Sequence, residues 1–264
     1  MTGAPHPDVP TPGADAFEGG LPHADAARSF GEGAADYERG RPTYPREAVE
    51  WLLPEGAHHV VDLGAGTGKF TRLLVDRVER VTAVEPSAGM RAELVEAVPT
   101  VEVLAGSAER IPLDDDSVDA VLVAQAWHWV DPLRAVPEVA RVLRPGGVLG
   151  LVWNVRDPFA PWAAELERII SSSTESGAES LEPRVGPPFP ALERRDVAWI
   201  NTVSPEEFVA MVTSRSYFLT LPEAERTVVE ARVRRLLAEH PALAGRDTIE
   251  VPYVTRCSRA ALPA

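Results

Sequence analysis

The sequence predicts an α/β protein built on a doubly wound parallel sheet. Three observations predict it. Strand-sized runs are apolar throughout, segments of helical period separate them, and the first run ends in a glycine-rich turn. Strands that are apolar on both sides must be covered on both faces.

In chain order, HHVVDLG (58–64) is the first strand and KFTRLLVDRV (69–78) the first helix. RVTAVEP (80–86) is the second strand, followed by a helix over 87–98 with Ser87 as its N-cap. VEVLAGS (101–107) and VDAVLVAQ (118–125) are the third and fourth strands. Asp131 and Pro132 read as the cap and first residue of a helix ending at RVLRPGG (141–147), with a kink or restart expected at Pro137. GVLGLVWNV (147–155) is the fifth strand. Beyond Asp157 come a helix around Trp162–Ile170, a polar, proline-rich segment (171–190) expected to be a mobile loop, and a strand over 196–203. Ser204 and Glu207 have capping-box spacing at the head of the next helix. A second helix spans Glu223–His240 and a last strand lies in TIEVPYVTRCSRA. Ahead of all this, residues 1–28 are rich in proline and glycine without hydrophobic period and read as a disordered tail. Residues 29–56 hold two short helical pieces broken by Pro42 and Pro45. The expected organisation is a tail, then one domain over 29–264 with a helical cover (29–56), a core (57–157) and a C-terminal part (158–264).

Composition excludes several classes. The chain has 264 residues with 26 basic and 40 acidic side chains, a net charge of −14, which argues against nucleic acid as a partner. A single cysteine, Cys257, allows no internal disulfide. No His/Asp/Glu cluster has metal-ligand spacing, so no metal is expected. The apolar runs are too short to span a membrane, and the first residues lack a basic start and an apolar stretch. A cytoplasmic location is expected.

The most informative stretch is Asp62-Leu63-Gly64-Ala65-Gly66-Thr67-Gly68, between first strand and first helix. Glycines there let the backbone turn tightly and approach a ligand. A phosphate-binding G-x-x-x-x-G-K-[ST] loop fails, because Leu63 and Phe70 stand where glycine and a hydroxyl are needed. A dinucleotide G-x-G-x-x-G fingerprint fails at Lys69, the only lysine in the chain. What remains is D-x-G-x-G-x-G. It is followed by Glu85 at the end of the second strand, Gly106-Ser107-Ala108-Glu109-Arg110-Ile111-Pro112, Ala124-Gln125-Ala126-Trp127-His128-Trp129, and Arg141-Val142-Leu143-Arg144-Pro145-Gly146-Gly147.

This ordered set, over residues 29–157, resembles the class I S-adenosylmethionine (SAM)-dependent methyltransferases. The resemblance implies a Rossmann-like sheet of seven strands, the last antiparallel, with helices on both faces and an added helical cover. It implies SAM as cofactor, with Glu85 on the ribose hydroxyls, Pro86, Ser87 and Met90 beside it, and Ser107, Ala108 and Glu109 bordering the adenine. Most relatives have Asp where this chain has Ser107. Gln125 joins the cofactor set after the fourth strand. The SFG (29–31), Tyr37-x-x-x-Arg41-Pro42-x-Tyr44-Pro45 and AQAWHWV blocks resemble small-molecule methyltransferases of the trans-aconitate type, which implies that Tyr37 or Arg41 reaches the methionine moiety.

The chemistry of the ligand suits these residues. Its methionine carboxylate suits the backbone donors from Gly64 through Ala65 and Gly66 to Gly68, and its ribose diol suits a carboxylate at 85. Asp62 either touches the ligand or ties the turn; Met90 is either core or an adenine contact. His128 is the candidate general base, with a pKa in the useful range, or else it orients its loop. Trp127 and Trp129 are candidates for the acceptor site, and Arg156, Arg215 and Tyr217 for an anionic substrate. The expected activity is methyl transfer to a small molecule, at a carboxylate or hydroxyl oxygen. A SAM-binding protein without transfer activity, or a nicotinamide-dependent oxidoreductase on a similar sheet, are the competing readings.

Overall fold

Seven strands form one sheet in the order β3-β2-β1-β4-β5-β7-β6. The computed structural model describes residues 40–171, 182–214, 218 and 221–264. The tail expected over 1–28, the first part of the cover (29–39), and the first half of the expected 171–190 loop lie outside them.

The strands are β1 (His59–Leu63), β2 (Arg80–Val84), β3 (Glu102–Leu104), β4 (Val118–Ala124), β5 (Leu143–Arg156), β6 (Glu193–Val203) and β7 (Ile249–Ala261). β1 to β5 pair in parallel. β7 runs antiparallel to both β5 and β6. The helices are α1 (Arg46–Leu52), α2 (Thr71–Leu74), α3 (Ala88–Ala97), α4 (Pro132–Val142), α5 (Ala163–Ser171), α6 (Pro205–Thr213) and α7 (Glu223–Glu239). Seven strands with the last antiparallel is the sheet that the resemblance implied.

The apolar runs are buried on both sides, as a parallel sheet requires: every residue of β1 is buried. Val148 and Val152 of β5 pack with Val49 and Leu52 of α1 and Leu74 of α2, while Leu149, Leu151 and Trp153 pack with Val136 and Val139 of α4. A third cluster joins α5, α6 and α7 through Leu166, Phe208 and Val233 to Tyr253 of β7.

The expected caps are present. Ser87 accepts from the Met90 amide, Asp131 from Leu133, and Ser204 and Glu207 complete a capping box. Two details differ from the sequence pattern for local reasons. α4 runs through Pro137 as one helix, so it does not restart there. The carbonyl that Pro137 leaves without an N–H donor belongs to Leu133, which is 88% exposed and open to water. The helix expected over 69–78 is regular only at Thr71–Leu74. The Arg77 guanidinium takes the Leu73 carbonyl that a continuing helix would use, and the Arg77 amide turns back to Leu74. The described half of the 171–190 segment is anchored: Phe189 is buried in the core, and the Arg184 carbonyl accepts from Trp127 Nε1 at 3.1 Å.

Candidate active site

The carboxyl ends of β1, β2, β4 and β5 meet at one edge of the sheet, where the strand order reverses between β1 and β4. A cavity opens there. Its floor is Asp62 and the turn from Gly64 to Thr67, its far wall Ala124 and Gln125, and its cover Arg41, Pro42 and Tyr44. Lys69 and Phe70 close the side.

Gly64, Gly66 and Gly68 all have positive φ, which lets the chain reverse within five residues. A Cβ on Gly68 would meet Leu94 and Val98 at 3.0 and 3.2 Å, so the third glycine also seats the turn against α3. Four of the backbone donors expected to receive a carboxylate are already used. Gly64 and Ala65 donate to the Val84 carbonyl, Gly66 to Glu85 Oε2, and Gly68 to the Ala65 carbonyl. The cations on the cavity wall are Arg41 and Lys69, and Lys69 Nζ donates to the Arg41 carbonyl at 2.8 Å.

Asp62 is fully buried. Its Oδ2 accepts from Thr71 Oγ1 at 2.6 Å, while Oδ1 has no hydrogen-bond partner. Burial is the main cause that pushes this carboxyl up to about 7; the Thr71 hydroxyl pulls it down, and the charge of Glu85 adds to the rise. Glu85, 7% exposed, accepts from Gly66 through Oε2 (2.9 Å) and from the Ser87 amide through Oε1 (2.8 Å). Burial raises its pKa, and the Ser87 and Gly66 amides and Arg91 oppose the rise. Arg91 Nη1 donates to the carbonyls of Glu85 and Pro86, fixing that corner. Met90 is buried, its sulfur 3.8 Å from where a Cβ of Gly66 would stand.

The segment after β3 is held by a tight bridge between Ser107 and Arg110, with Ala108 buried. Glu109 Oε1 accepts from the Asp131 amide at 2.9 Å and so supports the head of α4. Arg141 binds this segment from below, donating to the carbonyls of Ile111 and Leu113 and to Glu138 and Asp115. Gln125 adopts φ +59°, a left-handed backbone that a non-glycine residue rarely takes, and donates from Nε2 to the Asn154 carbonyl.

Trp127, a candidate for the acceptor site, sits in the core. It is 3% exposed among the residues of β4 and α4, and its indole is satisfied at Arg184. His128 is exposed on the short 3₁₀ turn Trp127–Trp129, its ring 4.8 Å from Trp129. Its Nδ1 faces the Trp153 indole at 3.4 Å. Arg156, at the end of β5, is largely buried; Nη2 lies 3.8 Å from Glu167 and Nη1 has no hydrogen-bond partner. Tyr37, Arg215 and Tyr217 lie outside the described residues. Among the described residues no group of His, Cys, Asp and Glu could hold a metal. No helix there is long and apolar enough to cross a membrane.

Sequence reasoning missed Tyr44, Lys69 and Phe70 as cavity residues, and Asn154 beneath them. Tyr44 packs edge-on against Phe70 at 5.0 Å. The signals were present: a tyrosine between two prolines, the only lysine next to the last glycine of the turn, and one amide inside an apolar strand.

The comparisons agree with this geometry. A model of the methyltransferase domain matches residues 61–151. An uncharacterized methyltransferase of Mycobacterium bovis is 53% identical over 238 residues, covering 90% of this chain and 97% of that protein. An uncharacterized methyltransferase-like protein of Schizosaccharomyces pombe is 34% identical over 86% of this chain and 93% of its own length. Among solved structures, a candidate type II methyltransferase from Anaeromyxobacter dehalogenans superposes with a TM-score of 0.65 at 26% identity, covering 85% of this chain and 99% of that one. This chain belongs to the class I SAM-dependent methyltransferases and is an enzyme that uses SAM as its methyl donor.

Proposed function

We propose that the enzyme methylates a carboxylate oxygen of a small anionic acceptor. The residues of the cavity fit the cofactor. Each oxygen of the Glu85 carboxylate spends one acceptor site on a backbone amide and keeps another, which suits two ribose hydroxyls. The orphaned Asp62 Oδ1 suits the methionine ammonium, and Arg41 and Lys69 suit its carboxylate. Met90 and Ala108 supply apolar surface for the adenine. When bound, SAM supplies an electrophilic methyl group with a good neutral leaving group.

The observation that carries the acceptor reading is Arg156. A largely buried guanidinium with an unpartnered Nη1 at the carboxyl end of the sheet is costly unless an anion completes it. Arg156 would hold one carboxylate oxygen and leave the other as nucleophile. A carboxylate is already ionised, so no base need act; the protein aligns the acceptor and keeps water out. The net charge of −14 supports a small molecule over nucleic acid.

The test is a screen of mono-, di- and tricarboxylates against amines and phenols, reading S-adenosylhomocysteine (SAH) formation. Carboxylates should turn over, and Arg156→Met should raise the acceptor KM by roughly 30-fold or more, the size expected for a buried charge pair. SAH affinity should stay unchanged. Turnover of amines or phenols alone would overturn the carboxylate reading.

A further inference from the structure

We propose that Asn154 is a positioning residue that latches the segment 40–45 over the cofactor and so sets how tightly SAM and SAH are held. It sits in the middle of a directional hydrogen-bond chain. The Trp199 indole can only donate, and it donates to Thr255 Oγ1 at 2.8 Å. Thr255 spends its own proton on Asn154 Oδ1 at 2.5 Å, across the β5–β7 pair where the two residues stand opposite each other. Oδ1 is thus the inner atom of the amide, and Nδ2 faces outward and donates to the Thr43 carbonyl at 2.8 Å. Trp199 and Asn154 are partly to fully buried, and Thr255 is 0% exposed, so water offers no ready substitute for these bonds.

The segment that this amide holds is the cover of the cavity. Arg41, Pro42 and Tyr44 line it, with Thr43 between them. Two further contacts seat the same six residues. Lys69 Nζ grips the Arg41 carbonyl. Gly40 lies so close to α6 that an added Cβ would stand 2.2 Å from the Ala210 carbonyl oxygen and 2.3 Å from Ser214 Oγ. The latches reach the backbone, so they fix where Arg41 and Tyr44 stand whatever those side chains do. The Asn154 carbonyl also accepts from Gln125 Nε2, so the same residue links the cover to the far wall of the cavity.

Two substitutions release the cover from opposite sides. Asn154→Asp keeps the shape and the acceptor for Thr255 but sets a carboxylate oxygen against the Thr43 carbonyl. Gly40→Ala pushes the segment off α6 and leaves the sheet untouched. A control, Thr255→Val, breaks the inner half of the chain and leaves the Asn154 amide beside Thr43. All are made in the full chain and read by SAH titration calorimetry, thermal unfolding, and hydrogen exchange of the peptide containing the amides of Arg41, Thr43 and Tyr44. In both latch variants the SAH Kd should rise about tenfold, the loss of one well-made hydrogen bond. Exchange over 41–44 should accelerate without a matching change in the core strands. Thr255→Val should lower the unfolding temperature yet keep SAH affinity within about threefold. The proposal is overturned if the latch variants bind SAH as the parent does, or if affinity follows unfolding temperature across all three variants. Should Asn154→Asp fail to fold, Gly40→Ala decides alone. The readouts need no acceptor, so they stand apart from the carboxylate reading.

Discussion

Glu85 accepts the Gly66 amide at 2.9 Å, so the carboxylate that ends β2 also holds the shape of the turn that follows β1. Its other oxygen takes the Ser87 amide and sets the start of α3. One side chain therefore preorganises two sides of the pocket before any ligand arrives.

Replacing it should be felt twice. Glu85→Ala leaves two backbone donors without partners, which costs about 1–3 kcal/mol each where water cannot reach. The protein without ligand should melt lower. SAH at about 100 times its Kd should stabilise the parent by roughly 2.7 kcal/mol, and most of that gain should vanish in the variant. A full SAH-induced shift in Glu85→Ala would remove Glu85 from the ribose site.

Asp62 should make cofactor binding pH-dependent. Its carboxyl is pushed up to about 7, mainly by burial. From the ordinary range near 4 up to 7, the folded protein holds this proton more tightly than the unfolded chain does. Its contribution to stability is thus complete below about 4 and is lost as pH rises through 7. A cationic ammonium on Oδ1 favours the ionised form, so the sign for binding is opposite. SAH affinity should rise roughly tenfold between pH 6 and 8 and then level. Calorimetry on Asp62→Asn should show a flat profile; an unchanged profile would assign the titration to another group.

Much of this was legible because parallel strands buried on both faces must be apolar along their length. β1, β2, β4 and β5 stood out for that reason, and the glycines and Glu85 for theirs. The use of each polar atom was hidden. Nothing in the local pattern of Asp62-x-Gly-x-Gly reveals that the Val84 carbonyl and Glu85 consume the turn's amides, because those partners come from the neighbouring strand. The role of Asn154 is set by Thr43 and Thr255, both distant from it in sequence. Trp127 was singled out by its place after the fourth strand, and that its indole meets a carbonyl 57 positions away could not be read there.

Asp119 offers a test of stability away from the pocket. Its Oδ2 accepts from the amides of both His58 and His59 at 2.8 Å, and Oδ1 pairs with Arg144. Burial pushes this carboxyl up, but the His59 amide, Arg144 and the His58 amide outweigh it and hold it below the usual carboxylate range. The stability it gives is therefore present above about 4 and lost as pH falls through the depressed value. Asp119→Ala should cost about 2 kcal/mol at pH 7, with the gap to the parent closing under acid conditions. These contacts lie at the amino ends of the strands, so SAH affinity should not change. A drop in affinity equal to the loss of stability would show that the two ends of the sheet are coupled.

His128 should prove dispensable for chemistry. The Trp153 indole can only donate, so its approach to Nδ1 places the ring's proton on Nε2. The lone pair of the neutral ring then faces Trp153 instead of an acceptor, and a carboxylate has no proton to give up. With a carboxylate acceptor, His128→Ala should lower kcat by less than about tenfold, below the 10²–10⁴ that a general base contributes. Its pH–rate profile should keep the parent's shape between pH 6 and 8, because the Asp62 titration acts on cofactor affinity and disappears at saturating SAM. A hundredfold fall in kcat together with loss of one limb of the pH–rate profile would restore His128 as the base and point to a hydroxyl acceptor.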